Sequence, residues 1–279
     1  MSIGLQHELV QDAEKAQRSK LADKLLAEKR YFELAHKVAR TGRWAAAAWT
    51  TFAWEPAQSI PSQQFRLASR TRLGLVPLNH SQPKCQKCNA NLRGEEAQYH
   101  GLHCNNSRRI SGHDYVVQAL KGVIRSASGA SLVEPREIPG WGDGRHPDLE
   151  VQMGPMSSLI DVTIVDPLAA SYFQGVAKAR APGITAQQAE QKKKNKYDGL
   201  ARAQHCTFFP FAVETLGTFG EGAVKFLETL ATHHSEYVKD GLTKQQFLGY
   251  AVSTIAVAVQ RRNAACLLKT QSARRNEDD

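Results

Sequence analysis

The sequence predicts a mixed α/β protein: a helical N-terminal region, a Cys/His knuckle, and an α/β core whose elements run helix, three strands, helix, strand (αβββαβ). Three observations predict it. Residues 1–48 are rich in Ala, Leu, Lys and Glu and hold no proline, which is helical composition. Between 132 and 165 the pattern changes to short apolar or alternating runs bounded by Gly and Pro, as in strands. Helical spacing then returns after Thr185 and again after Glu221.

Taken in order, Leu21, Leu25, Leu26, Phe32 and Leu34 lie near helical spacing and predict one or two helices before residue 48. Pro56, Ser59 and Pro61 mark a turn, after which Ser62 is placed to cap a helix through Phe65, Leu67 and Leu73. Pro77, Asn79, His80 and Pro83 break that pattern ahead of a cysteine cluster. A helix follows from Asp114 to Ser126, with Val116, Leu120, Val123 and Ile124 on one face. Strands are expected at Leu132–Glu137, Asp148–Met153 and Ser157–Val165, a helix from Thr185 to about His205, and a fourth strand at Thr207–Thr215. Helices over 221–234 and 243–269 precede a charged tail. The expected division is a helical region 1–60, a basic segment with the knuckle 61–110, the α/β core 111–235, and a final helix and tail 236–279.

The 279 residues carry 42% apolar and 23% charged side chains, which excludes wholesale disorder and fibrous repeats. The net charge of +9 argues for an anionic partner. No apolar run approaches the length of a membrane span, so no membrane partner is expected. Charge is unevenly spread: residues 61–125 hold ten Lys or Arg against three acids. Such a patch binds phosphates with strong salt dependence and little sequence preference.

Three of the five cysteines fall between positions 85 and 104. Cys85-x2-Cys88 followed by His100-x3-Cys104 offers three thiolates and an imidazole, a closed ligand set for structural zinc. His103 is an alternative to His100. Four protein ligands leave no open position for a reacting water, so the expected role is structural.

Asp148 follows Pro147, and Asp161 stands inside the apolar run Leu159-Ile160-Asp161-Val162-Thr163-Ile164-Val165. A carboxylate there is costly to bury unless it is paired or binds a cation. The interval of twelve residues fits one hairpin, which brings both carboxylates to one site as hard ligands for Mg²⁺. Downstream, Lys193, Lys196 and Tyr197 are spaced to share one face of a helix. A lysine aimed at such a metal site can position the attacking water or offset transition-state charge.

This combination resembles the PD-(D/E)xK, or restriction-like, endonuclease core. It resembles more closely the C-terminal part of site-specific non-LTR retrotransposon polyproteins. In order come Phe65-Arg66 through Arg72-Leu73-Gly74-Leu75 with Pro77-Leu78-Asn79, the CCHC knuckle, His113-Asp114, Arg145-His146-Pro147-Asp148, Asp161-Val162-Thr163, Lys193-x2-Lys196-Tyr197 and Pro210–Gly217. The strand motif carries Thr163 where the lysine of (D/E)xK usually stands, so the lysine role passes to the later helix. The thirty-one residues between Asp161 and Lys193 include Pro167, Gly175, Pro182 and Gly183, which suggests an inserted loop.

The resemblance implies an Mg²⁺-dependent DNA endonuclease. Asp148, Asp161 and the Val162 carbonyl would bind Mg²⁺, and Cys85, Cys88, His100 and Cys104 zinc. Lys193 is the first choice for the lysine role and Lys196 the second. Tyr197 would touch the phosphate backbone or brace the helix. Glu134 and Glu214 are candidate extra carboxylates, the alternative for each being a strand-end or buried hydrogen-bonding residue, and His113 is expected to be structural. The implied partner is DNA or RNA, with no small-molecule cofactor, in the nucleus or elsewhere inside the cell. The alternative is a catalytically inactive nucleic-acid-binding knuckle protein; a third reading is a zinc-stabilised interaction protein.

Overall fold

The computed structural model describes residues 3–50, 56–75, 84–85, 88–91, 99–104, 109–128, 130–133, 147–237 and 241–271. The N-terminal region forms α1 (Ile3–Ala27), α2 (Tyr31–Ala39) and α3 (Ala47–Thr50), then α4 (Ser62–Leu73). The short α5 (His100–His103) and the long α6 (Arg109–Ser126) lead into the sheet. The core comprises β1 (Ala130–Val133), β2 (Leu149–Met153), β3 (Met156–Val165), α7 (Phe173–Ala179), α8 (Ile184–Ala203) and β4 (Cys206–Glu214). It is followed by α9 (Glu221–Tyr237) and α10 (Lys244–Gln271). No helix among the described residues is long and apolar enough to cross a membrane.

The four strands lie in the order β1-β2-β3-β4. The first two pairings are antiparallel, and β3–β4 is parallel, its crossover made by α7 and α8. Strand alternation assigns the faces. Ile160 and Val162 join the main core with α6, α9 and α10, whereas Leu159 packs with Tyr197, Ala201 and Phe208 on the α8 side. Asp161 shares the parity of Leu159 and therefore points towards α8. Pro210 pairs opposite Asp161 in β4, and its missing N–H is tolerated because β4 is the sheet edge.

Buried carboxylates anchor two helices. Glu190 of α8 accepts N–H bonds from Ala212 and from Gly222 and Ala223 at the start of α9. A Cβ at Gly220 or Gly222 would stand 2.2 Å or 3.1 Å from Glu190 Oε1, so both positions suit glycine. Glu214 accepts the Ala186 N–H in the first turn of α8. Anionic oxygens at helix N-termini satisfy orphan donors and oppose the dipole favourably. Burial nevertheless raises the pKa of both, Glu214 to about 7.

Several elements differ from expectation. The N-cap of α4 is Pro61 with no side-chain cap bond, so Ser62 is already helical. Of the apolar residues on α4, Leu67 is buried while Phe65 and Leu73 are exposed. The helix expected from Asp114 begins one turn earlier, at Arg109. β1 begins at Ala130, two residues before the expected Leu132, and positions 134–137 of the expected strand, Glu134 among them, fall outside the described residues. The expected loop after β3 contains α7, whose Val176 and Ala177 are buried.

Candidate metal and phosphodiester site

The knuckle is built by local chain geometry. The Cys85 N–H bonds Ala90 O and the Asn89 N–H bonds Cys85 O, both at 2.8 Å. Asn89 takes the left-handed conformation (φ 59°) that such a tight turn requires and that asparagine tolerates. On the other side His100 and Cys104 stand one helical turn apart across α5, with the Cys104 N–H on His100 O at 2.8 Å.

The four ligand atoms all lie within 4.8 Å of one another. Cys85 Sγ and Cys104 Sγ are 3.9 Å apart, and Cys88 Sγ is 3.1 Å from His100 Nε2. Tetrahedral zinc with bonds of about 2.3 Å sets its sulfurs about 3.8 Å apart, so the residues present fit a zinc ion. His103 does not replace His100: its Nδ1 lies 2.9 Å from Asp166 Oδ2. Asp166 Oδ1 accepts Leu168 N–H and the Thr215 hydroxyl, which ties the knuckle helix to the end of β3.

The second centre lies at the sheet. Leu149 pairs with Ile160, so Asp148 stands at the next step of the ladder, beside Asp161. Asp148 Oδ2 accepts the Val162 N–H at 2.6 Å. On the α8 side Lys193 Nζ sits 2.7 Å from Asp161 Oδ2. Burial raises the Asp161 pKa, Lys193 works against that, and the Asp148 charge adds to it. A raised pKa in a carboxylate with a specific cationic partner is typical of functional sites, though ion pairs that only stabilise do the same.

The helix places its candidates unequally. Lys193 reaches Asp161, whereas Lys196 is exposed and lies over the Tyr197 ring at 4.6 Å from its centroid. Tyr197 is 4% exposed and packs edge-on against Phe208, bracing α8 on the sheet. Glu214 is spent on the start of α8, and the carboxylate charge felt there is Asp166.

His113, expected to be structural, is tied to the sheet by two contacts. Its Nε2 lies 3.0 Å from the Val162 carbonyl oxygen and 3.3 Å from Asp148 Oδ2. Its Nδ1 faces Asp114 Oδ1 at 3.4 Å. The Asp148 contact outweighs burial and raises its pKa to about 9.

Comparison of the chain with protein-family models, with curated proteins and with solved structures gives no match.

Proposed function

We propose that the chain is a divalent-metal-dependent nuclease that hydrolyses phosphodiester bonds in DNA, built on a restriction-like αβββαβ core behind a zinc knuckle. The observation that carries this reading is the Lys193 ammonium 2.7 Å from a buried Asp161, next in the ladder to Asp148. The succession α6-β1-β2-β3-α8-β4, with two antiparallel steps and one parallel step, supports it.

In this reading Asp148, Asp161 and the Val162 carbonyl would hold Mg²⁺, which would supply Lewis-acid activation of water and of the phosphate. The chain's own residues do the rest. The Val162 N–H fixes the Asp148 carboxylate. Lys193 is held by Asp161 and presents a donor to the attacking water or to a phosphate oxygen. Tyr197 keeps the α8 face in register with the strand. The basic residues around the knuckle draw in the polyanion.

The test is nicking of supercoiled plasmid with Mg²⁺. Asp161→Ala should abolish nicking while zinc content and salt-dependent DNA binding persist. Equal nicking by the variant would overturn the assignment. DNA binding without cleavage or core metal binding in the wild type would favour the inactive binding module.

A further inference from the structure

We propose that Cys88 is an oxidation site: a peroxide converts its thiolate to a sulfenic acid, a neighbouring thiolate of the knuckle closes a disulfide onto it, and zinc is expelled from the cluster. The inference does not depend on the phosphodiester reading. It rests on zinc in the Cys/His cluster, which the ligand spacing fits.

Exposure singles out Cys88. Of the five cysteines, Cys85, Cys104, Cys206 and Cys266 are buried, and Cys88 alone is partly open to solvent. Susceptibility to oxidation follows thiolate character and access. Zinc supplies the first to every cysteine it binds, since a coordinating thiol is deprotonated outright. The second belongs to Cys88. Lys84 and Lys87 stand beside Cys85 and Cys88 in the sequence, and Lys84 is exposed, so the surroundings also favour a thiolate.

A resolving thiol is already in place. The four ligand atoms all lie within 4.8 Å of one another, so Cys85 Sγ and Cys104 Sγ both stand beside Cys88 Sγ. An accessible thiolate poised next to a second one is the arrangement of redox-sensing cysteines.

The electrons balance in two steps. The Cys88 sulfur attacks one peroxide oxygen: an S–O bond forms, the O–O bond breaks, the sulfur gives two electrons to the peroxide, and hydroxide leaves. The Cys85 or Cys104 thiolate then attacks the Cys88 sulfur: an S–S bond forms, the S–O bond breaks, and a second hydroxide leaves. Solvent protons convert both to water. Two thiolates are then gone from the ligand set, and the remaining thiolate and imidazole are too few for a tetrahedral zinc site.

The change is felt beyond the cluster. Tyr99 and Leu102, on either side of His100, are each 2% exposed and belong to one apolar cluster with Leu25, Leu34 and Leu67 of the N-terminal helices. Loss of the ion therefore loosens the seam between the knuckle and those helices.

The test uses the full chain loaded with zinc, with hydrogen peroxide as oxidant and no other thiol present. Substoichiometric peroxide in the presence of dimedone should place the first adduct, located by mass spectrometry, on Cys88. Without dimedone, about one zinc ion should reach a chromogenic chelator for each peroxide reduced. A disulfide joining Cys88 to Cys85 or Cys104 should accompany it, and a thiol reductant with added zinc should restore the cluster. Cys88→His keeps four ligands of the zinc-binding kind and should lose the rapid release. A first adduct on another cysteine, zinc retained while the knuckle thiols oxidise, or release unchanged in Cys88→His would overturn the proposal. A wild type that holds no zinc would overturn it too, with the phosphodiester reading untouched. Should Cys88→His bind no zinc, the adduct map of the wild type decides alone.

Discussion

The Cys/His knuckle and the carboxylate site at the sheet solve opposite problems. The knuckle gathers four ligand atoms within 4.8 Å on a tight turn and one helical turn. Three thiolates at such spacing would repel, so a bound zinc ion would hold the arrangement together and its binding energy would be folding energy. At the sheet each carboxylate already has a cationic neighbour, Lys193 for Asp161 and His113 for Asp148. That acidic pair is placed by strand register and helix packing. The knuckle is spaced for an ion; the acidic pair is held by charges of the chain itself.

The largest effect should come from the knuckle. Cys104→Ser or strong chelation should remove zinc, whose binding in such sites is worth on the order of 10 kcal/mol. Hydrogen exchange should show protection lost over residues 99–104 while β2 and β3 keep theirs. Simultaneous loss in the strands would break the comparison, because the two regions would then be one cooperative unit.

Next comes the packing that holds the sheet site. Gly222→Ala drives a Cβ to 2.3 Å from Pro210 O and 3.1 Å from Glu190 Oε1. Overpacking of this kind costs about 1–3 kcal/mol. Denaturant unfolding should register it while zinc content stays unchanged. Lys193→Met should cost somewhat less, about 1–2 kcal/mol, by leaving buried Asp161 without its ammonium. That cost should shrink at low pH, since Asp161 has a raised pKa and protonates readily.

A smaller, graded effect is the dependence on pH. The folded pKa of Glu214 is raised from 4.5 to about 7, so the fold binds this proton more tightly than the unfolded chain does. Its charge burdens the fold progressively between those values and fully above the higher one. The folded pKa of His113 is raised from 6.5 to about 9, so its stabilisation is complete below 6.5 and fades through 9. Melting temperature should therefore fall as pH rises from 5 to 9. Glu214→Gln should flatten the lower half of that slope and His113→Gln the upper half. A slope unchanged in both variants would detach these groups from stability.

The sequence exposed what is local or chemically costly. The knuckle was legible because its ligand pairs are neighbours on a turn and on a helical turn. Asp161 was legible because a charge interrupts an apolar strand, and Lys193 because helical spacing could be counted from it. His113 was harder to read, since its partners lie at Asp148 and Val162 and only the packing of α6 on the sheet unites them. Starting that helix at Asp114 left His113 just outside it. Glu190 was opaque for the same reason, because it bonds the start of α9, a role fixed by tertiary position; Glu214, at the first turn of α8, takes the buried hydrogen-bonding role weighed as its alternative. Helix α7 was hidden by the Pro and Gly residues around it, although Val176 and Ala177 are buried.

The contact between His103 and Asp166 has a dimensional consequence. Asp166 lies five positions beyond Asp161, at the end of β3, so about 17 Å of extended chain separates the acidic pair from the point where the knuckle helix is tied down. A single strand thus serves as a ruler between the acidic pair and the Cys/His knuckle, and a slip of its register would carry both ends along together.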